Sequence, residues 1–136
     1  MIALGPSVIS SIMGIYPAPF IARLKNQGIK WFATVTSVTE ALAAEAAGAD
    51  VIVAQGVEAG GHRGSFNSED VSRSLVGLFS LLPAVVDAVK IPVVATGGIG
   101  DARGIAAALL LGASAVQIGT GPVSYTHLRA HETYVH

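Results

Sequence analysis

Cysteine is absent from this 136-residue chain, which removes a disulfide framework and any Cys-ligated zinc or iron–sulfur site. Charge is scarce too: Asp, Glu, Lys and Arg make up 12% of the residues and leave a net charge of −1. That share is roughly half of the ~25% in an ordinary globular domain, so most of the chain is expected inside something. With no basic run, nucleic acid is not expected as the main partner. Long apolar runs are missing as well. Ile91–Ala95 and Ile105–Leu111 are far shorter than the ~20 residues of a spanning helix, so no membrane partner is expected. Met1–Ser10 has no basic segment leading into an apolar one, so no secretory signal is read. The expectation is a soluble, cytoplasmic, single-domain protein.

What the chain does have is apolar and glycine-rich sequence: 51% hydrophobic residues, 16 glycines and mean hydropathy +0.61. A short apolar run, a Gly-rich loop and an Ala/Leu-rich helix recur along it. Val8–Ser11, Trp31–Val35, Val51–Ala54, Pro92–Ala95 and Ala115–Ile118 read as strands. The last three are apolar on consecutive positions, as strands buried on both faces of a parallel sheet are. Ser37-Val38-Thr39-Glu40 is a capping-box pattern opening a helix that runs to Ala47 and stops at Gly48. Asp101 is an N-cap for a helix ending before Gly112. Pro17–Asn26 and Leu81–Val89 are further helical stretches.

Ala46-Ala47-Gly48-Ala49-Asp50-Val51-Ile52 is echoed by Leu110-Leu111-Gly112-Ala113-Ser114-Ala115-Val116. Both are helix ends turning into a buried strand, offset by two βα units of ~30 residues each. Alternating units imply an α/β fold, either a barrel or an open doubly wound sheet.

Three loops after three strands hold the residues with chemistry. They are Gln55–Gly64, Thr96–Asp101 and Gln117–Gly121. In parallel α/β proteins ligands sit at the carboxyl ends of strands. Glycines in the second and third loops let backbone N–H groups approach an anion, and a helix starting at Asp101 adds its positive end. His62 lies among Gly60, Gly61 and Gly64, and an imidazole with an ordinary pKa of about 6.5 suits a base or an anion-holding donor. Glu58 and Arg63 read as solvated or structural charges.

Ala54-Gln55-Gly56-Val57-Glu58-Ala59-Gly60-Gly61-His62-Arg63-Gly64 resembles the signature of the nitronate monooxygenase (2-nitropropane dioxygenase) family. Ile91–Thr120 is similar to that family's flavin-phosphate segment, and the likeness covers about Val8 to Thr120. The resemblance implies a (β/α)₈ TIM barrel with FMN as cofactor. It places Gln55, Gly60 and Gly61 at the flavin, Gly97 and Gly98 at its phosphate, and Gln117, Ile118, Gly119 and Thr120 closing that cradle. It makes His62 the active-site base or nitronate-orienting residue. The implied reaction oxidises an alkyl nitronate with O₂ to a carbonyl compound and nitrite. Two other readings share these motifs: an FMN-dependent enoyl-acyl carrier protein reductase, and a flavin-binding module without turnover.

A barrel of this type takes ~250 residues and eight strands. Five strands are read here, so residues 1–121 are expected to be a truncated piece covering about strands 4–8, not competent alone. From Val123 onward the text changes character. Val123–Thr133 resembles one translated frame of a transposase adapter used in sequencing libraries, so residues 122–136 are expected to be a non-native tail. His127 and His131 within it are four apart, but no metal role is assigned to them.

Overall fold

The computed structural model describes residues 2–67 and 75–119. The tail, its histidines and Thr120 lie outside the described residues. Five strands alternate with four helices: β1 (Val8–Ser11), α1 (Ala18–Asn26), β2 (Lys30–Val35), α2 (Val38–Ala47), β3 (Val51–Gln55), α3 (Leu78–Ala88), β4 (Val93–Thr96), α4 (Ala102–Leu110) and β5 (Ala115–Gln117). All neighbouring strands pair in parallel, in the order β1-β2-β3-β4-β5. A doubly wound sheet reverses its strand order at a switch point. No reversal occurs here: each unit adds its strand beside the previous one, the progression of a (β/α)₈ barrel.

The two faces of the sheet differ. Trp31, Ala33 and Val35 of β2, Ile52 and Ala54 of β3, and Val93 and Ala95 of β4 join Leu24, Ala41, Leu82 and Val85 of the helices in one core. Thr34 and Val53, partners in the β2–β3 register, point the other way, into a cleft. β3 is therefore buried on both faces, which is why its apolar residues run consecutively.

Helix ends follow the local signals closely. Gly48 (φ 104°) and Gly112 (φ 102°) both take the left-handed conformation. The next N–H groups then bond back alike, Ala49 N to Ala44 O and Ala113 N to Ala108 O, both at 3.0 Å. The sequence echo is thus one C-terminal cap used twice. Ser37 Oγ accepts from Glu40 N as expected, but the reciprocal half of the box is redirected. Glu40 reaches Thr36 N at 2.6 Å instead of Ser37 N, because its other oxygen serves Phe66 N across the fold. α3 corrects a boundary: it opens at Leu78, not Leu81, and carries Pro83 in its interior. Its first N–H, of Leu78, is held by the Glu58 carboxylate, a contact twenty residues away in sequence.

At the amino ends of the strands Asp50 accepts from Trp31 N at 2.8 Å and from Lys25 Nζ at 2.8 Å, with Lys30 Nζ 3.6 Å away. Partial burial raises its pKa, but the hydrogen bonds from Lys25 and Trp31 and the charges of Lys25 and Lys30 outweigh this and hold it below the usual value. Folding lowers this pKa, so the stabilisation is present above the unfolded carboxyl's value of about 3.9 and fades as pH drops through the lower folded one. Asp50→Asn is expected to lose about 1–3 kcal/mol at pH 7. Urea unfolding at pH 7 and pH 3 should show the gap between the two proteins narrowing in acid.

Candidate functional site

A cleft of about 690 Å³ opens at the carboxyl ends of the strands. Of the residues singled out in the sequence, Gln55, Gly60, His62, Gly97, Gly98, Gln117 and Gly119 line it. Ile12, Thr34, Val53 and Glu58 complete much of its wall, and sequence reasoning had given none of them a place in the site. Gly61 (φ 78°) is exposed and Ile118 packs against the hydrophobic core, so neither is among the lining residues.

The chain leaving β3 is folded onto its own strand end. Gln55 is 6% exposed. Its Nε2 donates to His62 O at 3.0 Å, while its Oε1 accepts from Gly64 N at 2.7 Å and from Arg63 Nε at 3.1 Å. The Arg63 guanidinium also donates to Gly56 O at 2.8 Å. Arg63 is therefore a structural charge, as its sequence context suggested. Gly64 has no room for a side chain: a Cβ would stand 2.9 Å from Thr34 Cγ2 and 3.2 Å from Gln55 Oε1. The loop is pressed against β2 and β3, and His62 sits on the pressed stretch. Among the described residues nothing hydrogen-bonds its ring, which leaves both nitrogens available to a ligand.

The turn after β4 is one that only glycine builds without strain. Gly97 (φ 116°) and Gly98 (φ 68°) both need the left-handed region. A Cβ at Gly97 would lie 3.1 Å from Ala59 N, and one at Gly98 would lie 3.0 Å from Glu58 Cβ. No described residue accepts from the backbone N–H groups of Gly98, Ile99 or Gly100. Thr96 Oγ1 donates to Gln117 O at 3.0 Å, tying the ends of β4 and β5 together beside this turn.

The start of α4 is capped as the sequence suggests. Asp101 accepts from Arg103 N at 2.9 Å and Gly104 N at 3.3 Å, so two donors of the first turn are used by the cap itself. The Arg103 hydrogen bond, then those two amides, hold the Asp101 carboxyl down to about 2, and it is ionised at neutral pH. An anion here would meet the unbonded amides of the glycine turn, while Arg103 N and Gly104 N of the helix are held by Asp101. Those free amides, with space opened by missing side chains, fit a phosphate.

A parallel βα progression with a histidine loop and a glycine turn on one rim defines a segment of a (β/α)₈ barrel with its site at the carboxyl ends of the strands. Residues 1–134 match the family model described as nitronate monooxygenase, and the chain belongs to that family. A Staphylococcus saprophyticus protein named "Probable nitronate monooxygenase" is 47% identical over 134 residues, which are 97% of this chain and 38% of that protein. A namesake from Staphylococcus aureus MSSA476 is 55% identical over 107 residues, 79% of this chain and 30% of that one. The chain thus spans about a third of the length of these relatives. Among solved structures, nitroalkane oxidase from Streptomyces ansochromogenes superposes with TM-score 0.78 at 50% identity, covering 83% of this chain and 33% of that one. A FabK mutant from Thermotoga maritima superposes with TM-score 0.77 at 41% identity, covering 90% and 38%.

Gly97→Ala is expected to lose about 1–3 kcal/mol through backbone strain and the crowded Ala59 amide. Gly100→Ala, where a Cβ meets nothing within 4 Å, should stay close to wild type. Urea midpoints of the two variants measure the difference.

Proposed function

We propose that the whole protein oxidises alkyl nitronates with O₂, in an FMN-dependent reaction, to carbonyl compounds and nitrite. The observation that carries this reading is that His62 and the Gly97–Gly98 turn border one cleft. A base and an anion cradle on the same rim suit an anionic substrate beside a phosphorylated cofactor. FMN, when bound, would supply the electron-accepting and O₂-reducing chemistry.

The residues of this chain do the holding. Free amides at Gly98, Ile99 and Gly100 suit the FMN phosphate, with Gln117 and Gly119 flanking it and Gln55 and Gly60 nearer the ring system. The imidazole of His62 would hold the nitronate oxygens, or take up the α-proton of the neutral nitro compound, which needs its basic form. Ile12 and Val53 give the same cleft apolar wall. The site asks for a small-molecule substrate, O₂ and no metal.

The likeness to FabK supports a second reading, an FMN-dependent enoyl-acyl carrier protein reductase acting on the same rim. The two separate by reductant: nitronate oxidation needs no NAD(P)H, and enoyl reduction does.

The test is nitrite release from a nitronate by the full-length, FMN-loaded protein. His62→Asn is expected to lower kcat/KM by about 10²–10⁴-fold, the usual worth of a positioned acid–base group. Full-rate nitrite release by that variant would remove His62 from the chemistry. NAD(P)H-driven reduction of an enoyl thioester, without nitrite release, would favour the second reading.

A further inference from the structure

Glu40, in the first turn of α2, gathers more donors than capping that helix needs. Its Oε2 accepts from Thr36 N at 2.6 Å and Thr36 Oγ1 at 2.9 Å, both in the turn leaving β2. Its Oε1 accepts from Phe66 N at 2.7 Å and Ser65 Oγ at 3.3 Å, at the far end of the histidine loop. The near end is held by Gln55 through His62 O, Arg63 Nε and Gly64 N. Between the two anchors Gly64 leaves no space for a Cβ above Thr34 and Gln55. The stretch from His62 to Phe66 is therefore fastened to β3 at one end and to α2 at the other. Ser65 is itself buried, so its hydroxyl is drawn inward to Glu40 and to Asn67 O.

We propose that Glu40 is a positioning residue for His62. It is not among the residues lining the cleft; it holds the far end of the loop, and so sets where the imidazole stands over the strand ends. Removing it leaves Phe66 N and Ser65 Oγ without their carboxylate, and the link from the far end of the His62–Phe66 stretch to α2 is lost. A misplaced acid–base group loses turnover steeply, because small displacements spoil the reacting geometry. Only the kinetic arm of the test rests on the nitronate-oxidising reading.

The experiment compares wild type, Glu40→Ala, Glu40→Gln and Glu40→Asp in the full-length, FMN-loaded protein. Three readings are taken: amide hydrogen exchange over residues 62–67, carbethoxylation of the peptide carrying His62, and nitronate kinetics. For Glu40→Ala, exchange in that peptide is expected to rise about tenfold or more, with α2 beyond its first turn unchanged. Labelling of His62 should change in rate, and kcat should fall about tenfold or more while KM moves little. Glu40→Asp should recover part of both, and Glu40→Gln should lie between, since its amide can serve only one of the two donor pairs. Unchanged exchange in the loop overturns the proposal whatever the kinetics show. Loosened exchange with kcat unchanged also overturns it, leaving Glu40 a stabilising residue only. If wild type releases no nitrite, the nitronate reading fails by itself. Loop exchange and His62 labelling then decide for Glu40: both altered upholds it, either unaltered overturns it.

Discussion

Gln55 ends the most deeply buried strand, and three of its four hydrogen-bonding positions are taken by the loop that follows. A carboxamide can do this where a carboxylate cannot, since it must donate to His62 O while accepting from Gly64 N and Arg63 Nε. Much else depends on that arrangement. Gly64 is driven against Thr34, Arg63 is turned back onto Gly56 O, and the imidazole of His62 has no hydrogen-bond partner among the described residues. The resemblance assigns Gln55 to the flavin. In the structure it borders the cleft and also shapes the loop that carries His62, with one amide hydrogen left unused.

The few acidic groups of this weakly charged chain are used mainly on the backbone. Glu40 accepts from Thr36 N and Phe66 N, Glu45 from Lys90 N and Ile91 N, and Asp50 from Trp31 N. Glu58 takes Leu78 N, and Asp101 takes the first turn of α4. Each joins segments that local hydrogen bonding would leave apart, or closes a helix start. A carboxylate accepting from amides is a stronger acceptor than a neutral group, so a handful can fix several connections.

Signals confined to a few residues were legible in the sequence. Ser37, Gly48 and Asp101 cap helices as read, and the consecutive apolar runs are the strands, shifted by a residue at most at either end. The order of the strands was not legible, because barrel and doubly wound sheets share the same βα rhythm and differ only in which strand sits beside which. The start of α3 was missed for the same kind of reason: Gly77 gives no side-chain cap, and the group that holds Leu78 N comes from Glu58. In the site, glycine density and a lone histidine at strand ends were readable. The roles of Glu40 and Gln55 were not, since both arise from chain segments that meet only after the sheet has formed. Gly61 and Ile118 share their motifs with true lining residues, and only the backbone path separates them.

Asp101 has a consequence for how the rim selects what it holds. Asp101 holds Arg103 N and Gly104 N of α4 and pairs with the Arg103 guanidinium, and no lysine or arginine lines the described cleft. An anion there meets oriented peptide dipoles and little net positive charge. Dipoles act over short range and only along their own directions, so such a cradle discriminates by shape and leaves generic polyanions without purchase.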